Sequence, residues 1–250
     1  DYFALFARKN PALVEQAILA LQNWDGSYDK TSLAAGIIHR FKVAFLRNIL
    51  YDKLGELLTD EILKLESTTE KLFYSFFHLG QNNPEHPSFD RRRTKQEEIF
   101  ADTVRLSLYD AFFYWKKNVS HAVRKWQWGR IHVIRPSHPL AQNFLGRWIF
   151  LPKALEESGH SSALWNMQLN PLNKKRIHSG PSIILHSQNP DQLAALMLFG
   201  QSGNPASDHY SDFISNWQKR EFITLDLHDH SDQKLTLHLK ADDNLTVEDF

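Results

Sequence analysis

Apolar residues recur at every third or fourth position along the first half of the chain, and that period stops at Trp128-Gly129. Beyond it, short apolar runs alternate with proline and glycine every few residues. A helical stripe and a strand face bury their apolar sides in different ways, so one regular layer cannot accommodate both patterns. The pattern therefore predicts an α+β chain: a mainly helical part over residues 1–125, then a mainly β part over residues 126–250.

Within the first part, Asn10 followed by Pro11 reads as an N-cap with proline at the first helical position, and Leu13, Ala17, Leu21 and Trp24 then form a stripe. That helix should end near Asp25-Gly26. Asp29 is expected to cap the next helix, over residues 30–51, with Leu33, Ile37, Phe41, Ala44 and Phe45 on its buried face. On this reading Arg40, Lys42 and Arg47 lie mostly off that face. Further helical periods cover residues 61–79 and 95–125, where Ile99, Val104, Leu108, Phe112 and Trp115 should share one core. The intervening QNNPEHPSFDRRR, with Arg91, Arg92 and Arg93 in a row, reads as a solvated loop.

In the second part, RIHVIR alternates as a strand does, and PSIILH, AALMLF and EFITLDLH read as further strands. FITLDL and KLTLHLK flank the polar turn HDHSDQ and predict a hairpin. Trp126 and Trp128, two apart, would share a strand face, where core packing is favoured over an aromatic acyl pocket because an indole buries a large area and needs one acceptor. His132 and His138 read as neutral histidines tying loop backbone. His228, Asp229, His230 and Asp232 have the chemistry of metal ligands, but a hairpin tip is polar without one, so no metal is assigned to them.

Charge narrows the partners. Lysine plus arginine equals aspartate plus glutamate at 29 each, so the chain has no field drawing it to nucleic acid or an anionic membrane. It has no cysteine and no apolar run of membrane-spanning length. DYFALFARKNPALVEQ lacks the basic and apolar regions of a signal peptide, and the chain reads as a piece of a longer polypeptide.

FGQSGNPASDHYSDF, residues 199–213, places Ser202 near Asp208, His209 and Asp212 and invites a triad. A nucleophile elbow needs glycines two positions before and two after its serine, whereas here Gly203 follows Ser202 directly. Pro205 removes a backbone donor and biases Asn204 toward extended backbone, where an elbow begins a helix. The letters instead support a tight turn in which Ser202 and Asn204 bond backbone. Ser207 or Asp208 should then cap the segment carrying Tyr210, Phe213, Ile214 and Trp217.

Four stretches together resemble the penicillin acylase family. LQNWDGSYDKTSLAAGIIHRF is similar to its Trp-Asp-Gly segment, and WQWGRIHVIRPSHPL to its Trp-x-Trp-Gly segment ending in His-Pro. GPSIILH resembles its Gly-Pro-Ser strand, although Ile184 stands where the family often has arginine. FGQSGNPASDHYSDFISNW resembles its Gly-Gln-Ser-Gly signature. The resemblance implies an N-terminal-nucleophile hydrolase, cut autocatalytically into two chains, in which a serine opening the β chain attacks the amide and its own α-amino group is the base. An α-amine titrates near about 7.7–8.0, within reach of the hydroxyl proton.

The resemblance places this chain in the C-terminal part of the β chain, completing an αββα sandwich. Residue 1 is Asp1, so no catalytic residue is assigned, and none of the family's oxyanion or calcium residues finds a matching position here. The resemblance implies no cofactor in this part of the chain; calcium, described for some family members, would belong to the complete enzyme. The implied partners are the upstream α chain, the N-terminal part of the β chain and a small amide substrate such as an acylated β-lactam or acyl-homoserine lactone. The implied compartment is the bacterial periplasm or the exterior. A binding domain derived from this scaffold, and an independent serine hydrolase using Ser202 and His209, are the alternatives. If its strands pair with upstream ones, the isolated chain should expose sheet edges and aggregate.

Overall fold

The computed structural model describes residues 2–91, 94–134, 138–163, 165–169, 177–178, 182–185 and 192–226. Two compact units emerge: residues 1–180 with 201–211, and residues 181–200 with 212–250.

The first unit is built on helices α1 (Tyr2–Lys9), α2 (Pro11–Gln22), α3 (Leu33–Leu63), α4 (Glu66–Asn82) and α5 (Phe100–Asn118). Helix α3 is capped by Ser32, whose Oγ accepts the Ala35 N–H at 3.2 Å, and not by Asp29. Asp29 is already engaged, accepting from the Thr31 N–H at 2.8 Å and the Thr31 hydroxyl at 2.6 Å. The helix also runs past residue 51 to Leu63, interrupted at Gly55, where φ is 77° and only glycine sits without strain. The helix expected from residue 61 accordingly begins at Glu66.

Residues 95–99 are not helical. The Ile99 N–H is taken up by the Asp102 carboxylate at 3.2 Å, which starts α5 at Phe100 and leaves Ile99 38% exposed as the N-cap. Before it, Arg91 donates to Glu98 at 2.7 Å, closing the loop; Arg92 and Arg93 lie outside the described residues.

Two apolar clusters run along α3. Phe6, Val14, Ala17, Ile37, Phe112 and Trp115 join Trp126 and Trp128 in one, and Phe41, Phe45, Leu46, Ile49, Phe73 and Phe89 form the other. Helix α3 meets α5 tightly at Gly36, whose carbonyl accepts from Trp115 Nε1 at 3.1 Å. A Cβ there would lie 2.6 Å from the Trp115 ring and 2.7 Å from the Trp126 carbonyl oxygen. Gly36→Ala is therefore expected to destabilise the protein by about 1–3 kcal/mol through overpacking, read as a lowered denaturant midpoint.

Trp126 and Trp128 do not lie on a strand. They fall at two successive 3₁₀ turns, Val123–Lys125 and Trp128–Arg130, drawn inward because the Trp128 and Gly129 N–H groups donate to Ser32 and Lys30 carbonyls at 2.9 Å and 2.8 Å. Of RIHVIR, Val133–Ile134 forms β1, antiparallel to β2 (Leu155–Glu156). Strand β3 (Gln168–Leu169) pairs with β4 (Ile177–His178). Helix α6 (Phe144–Phe150) is capped by Asn143, and His138 stacks on Phe150 with ring centroids 4.6 Å apart.

The second unit is an antiparallel sheet in the order β5 (Ser182–Leu185), β6 (Gln192–Leu196), β7 (Ile223–Asp226), with α7 (Phe213–Lys219) packed on β6. Ser182 pairs with Leu196 and Gln192 with Asp226. Trp217, 1% exposed, anchors α7. The hairpin predicted beyond Asp226, with His228, Asp229, His230 and Asp232, lies outside the described residues. The chain is thus mixed helix and sheet with a helical first half.

Candidate functional site

The loop after α2 ties together three distant stretches of the first unit. The Asp25 Oδ1 accepts the Ser27 N–H at 2.8 Å, and Gly26 takes φ 84° to make the turn. The Lys30 N–H then donates to Ser158 Oγ at 2.9 Å, and the Ser158 hydroxyl donates to Asp29 Oδ2 at 3.1 Å. The Gly159 N–H donates to the Tyr28 carbonyl at 2.8 Å, while Trp128 Nε1 donates to the Gly159 carbonyl at 3.0 Å. The stacked face of Tyr28 thereby covers His160, with centroids 4.1 Å apart.

Under that cover lies a cluster of ionisable groups from α3, α4 and the 157–160 loop. Lys42 donates to both Glu70 oxygens, at 2.7 Å and 3.0 Å, and meets the Tyr28 and Tyr74 hydroxyls at 3.3 Å. Burial opposes the ammonium, but Tyr28 and Glu70 beside it outweigh this and raise its pKa. Burial likewise opposes the Glu70 carboxylate, and hydrogen bonding from His160 with the charge of Lys42 brings its pKa below the usual value. Lys42 was expected off the buried face of α3; it is 4% exposed, because Glu70 and Tyr74 of α4 and Tyr28 of the preceding loop close around its ammonium.

His160 Nε2 lies 3.2 Å from Glu66 Oε1 and 3.4 Å from Glu70 Oε1, and His39 Nδ1 lies 3.6 Å from Glu66 Oε1. Burial, then Arg40 nearby, push the His39 pKa well down, so this imidazole is neutral. For His160, burial also works downward, yet the hydrogen bonds to Glu66 and Glu70 prevail and raise it.

His39, Glu66 and His160 offer donor atoms within 4.8 Å of one another, a spacing that a metal could bridge. The hydrogen bonding argues otherwise. The Ser162 N–H donates to His160 Nδ1 at 3.3 Å, which leaves the ring proton of the neutral imidazole on Nε2, pointing at the two carboxylates. A metal would need that lone pair. Nor does the set suit calcium, which takes six to eight oxygens. Lys42 hydrogen-bonded to Glu70, with His160 set 3.2 Å and 3.4 Å from the two carboxylates, makes the cluster a buried polar clamp joining α3, α4 and the 157–160 loop.

His132, 0% exposed, ties the same loop. Its Nδ1 donates to the Glu157 carbonyl at 2.8 Å, its ring stacks on Trp128 at 4.5 Å, and burial lowers its pKa. His39, Lys42, Glu66, Glu70 and His160 are all 4% exposed or less, so none meets a solvent-borne substrate in this chain.

Ser202 and His209 meet through their backbones: the Ser202 N–H donates to the His209 carbonyl at 3.0 Å. The Ser202 Oγ accepts the Asn204 N–H at 3.1 Å, Asn204 Oδ1 accepts the Ala206 N–H at 3.0 Å, and Ser207 Oγ accepts the His209 N–H at 3.2 Å. Tyr210 fixes the turn by donating its hydroxyl to the Phe150 carbonyl at 2.6 Å. The Ser202 hydroxyl oxygen thus accepts a hydrogen bond from turn backbone, the role the sequence assigns it.

The sequence reading missed the clamp. Two signals were available: His39 and Lys42 three apart on α3, and Glu66 and Glu70 four apart on α4, spacings that put each pair on one helix face.

The sequence model of the penicillin amidase family matches residues 2–234. Among curated proteins, acyl-homoserine lactone acylase QuiP of Pseudomonas syringae pv. tomato is 23% identical over 227 residues, covering 88% of this chain and 27% of that protein. The Pseudomonas putida counterpart is 27% identical over 232 residues, covering 87% and 27%. The Pseudomonas aeruginosa one is 25% identical over 229, covering 82% and 26%. The chain spans about a quarter of the length of these relatives.

Proposed function

The chain belongs to the penicillin amidase family, and on that premise we propose that it is the C-terminal part of an amidohydrolase cleaving linear acyl-amine bonds. The proposed substrate class is acyl-homoserine lactones, supported by the activity for which these relatives are named. The observation that carries the reading is the family match across residues 2–234, nearly the whole chain.

In the proposed reaction, a serine opening a processed β chain, outside residues 1–250, attacks the amide carbonyl. Its α-amino group takes the hydroxyl proton and passes it to the departing amine. Water then releases the acyl group as a carboxylic acid. The chain's own part is structural: its short strands would complete an αββα sandwich with upstream strands, and its helices would brace that sandwich. Processing into two chains, and a periplasmic or secreted location, belong to the same proposal.

The hydrogen bonding of Ser202 supports a scaffold role over an independent hydrolase. Ser202→Ala in the complete protein is expected to keep kcat/KM for an acyl-homoserine lactone within about twofold, whereas loss of a nucleophile costs on the order of 10⁶ in kcat. A loss of that size in Ser202→Ala, with the fold intact by circular dichroism, would sink the scaffold reading.

A further inference from the structure

Helix α1 runs beside the second half of α5 in the same direction, since Tyr2 at its start meets Tyr109 at the middle of α5, ring centroids 5.9 Å apart, and Asn10 just past its end meets Lys116 near the end of α5. A cavity of about 450 Å³ lies along them. Its character changes from one end to the other. Beside the start of α1 and the middle of α5 it is walled by Tyr2, Leu5, Tyr109 and Phe113, which are apolar or aromatic, and Leu5 is 50% and Phe113 42% exposed. At their C-terminal ends it meets Lys9, Lys116, Lys117 and His121. No acidic side chain lines it among the described residues.

We propose that this groove binds a small amphiphilic carboxylate, its alkyl tail along the aromatic end and its head among the lysines. The volume falls in the range of small-molecule sites. The seven helical steps from Tyr109 to Lys116 span about 10 Å at the helical rise, the reach of a medium-length alkyl chain. One apolar end and one cationic end match a molecule with one tail and one anionic head. A peptide would set its own amides against aromatic walls that offer few partners. Lys116 is held in place by donating to Asn10 Oδ1 at 2.6 Å, so part of the cationic end is already ordered. The groove is separate from the clamp and from the Ser202 turn, and the proposal does not depend on which bond the complete enzyme cleaves.

The test is calorimetric titration of the complete processed protein with decanoate, and with decan-1-ol as the uncharged counterpart. It is repeated on Leu5→Asp, which spoils the tail end, and on Lys9→Glu/Lys117→Glu, which reverses the head end. Leu5, Lys9 and Lys117 are exposed, so both variants should melt as the parent does. Decanoate is expected to fill one equivalent in the parent that weakens at least about tenfold in each variant, with decan-1-ol weaker by a similar factor. Equal stoichiometry and affinity across the three proteins would place any binding elsewhere and overturn the proposal. So would equal binding of the alcohol, or a parent that takes up no such equivalent because the rest of the polypeptide fills the groove.

Discussion

Replacing Lys42 with methionine is expected to destabilise the complete protein by about 3–5 kcal/mol, the cost of leaving a buried charge without its partner. Glu70 would remain 4% exposed, having lost two hydrogen bonds of 2.7 Å and 3.0 Å from the ammonium. The Tyr28 and Tyr74 hydroxyls would lose their shared donor as well. In urea this should appear as a fall of the unfolding midpoint on the order of 1 M, followed by tryptophan fluorescence. The partner variant makes the cause visible. Lys42→Met/Glu70→Gln removes both charges and should recover at least half of the loss, because the stranded carboxylate is the costly species. Equal losses in the single and double variants would mean that packing around the Lys42 stem, and not charge, is what matters.

Trp128→Ala should cost a comparable amount, about 3–5 kcal/mol, for a different reason. Trp128 is 0% exposed and separates the apolar cluster from the clamp. Its ring lies 4.5 Å from His132, 5.3 Å from Tyr28 and 4.9 Å from His39, and its Nε1 holds the Gly159 carbonyl. Alanine would leave a cavity with that carbonyl unpaired and free Tyr28 from its packing over His160. Trp128→Phe keeps a six-membered ring in the site and drops the hydrogen bond with part of the packing, so its loss should be no more than about half as large. The same urea transition checks both; an alanine variant within about 0.5 kcal/mol of the parent would show that Trp128 does not hold these layers together.

How far the sequence carried the fold depends on how local each signal is. The stripe of α3 through Leu33, Ile37, Phe41 and Phe45, and the strand at Ser182–Leu185, were legible because periodicity and turn residues are local, whereas of AALMLF only Ala194–Leu196 falls in a strand, which begins earlier, at Gln192. The cap at Ser32 was not, because Asp29 and Ser32 both have capping chemistry, and the choice turns on Thr31 and Ser158 engaging Asp29. Trp126 and Trp128 were read as strand residues because a spacing of two fits a strand equally well; contacts from Ser32 and Lys30, far earlier in the chain, decide for turns.

The site was less legible than the fold. A buried lysine and three buried histidines are unreadable from periodicity when their partners come from separate segments. Lys42 is polar by letter, but α4 brings Glu70 to it and the 157–160 loop brings His160 to Glu70. The turn around Ser202 was read from the sequence as a turn for the opposite reason: its glycine spacing, Pro205 and small polar residues act within ten positions of one another.

The central claim is that residues 1–250 supply the frame of an amidohydrolase whose attacking serine lies elsewhere in the protein. The most direct measurement treats the complete processed protein with an aryl sulfonyl fluoride and maps the modified peptide by mass spectrometry. The account predicts a single adduct, on a serine that opens a mature chain and lies outside this sequence. An adduct on Ser202 would contradict it and make the Gly-Gln-Ser-Gly turn the active site.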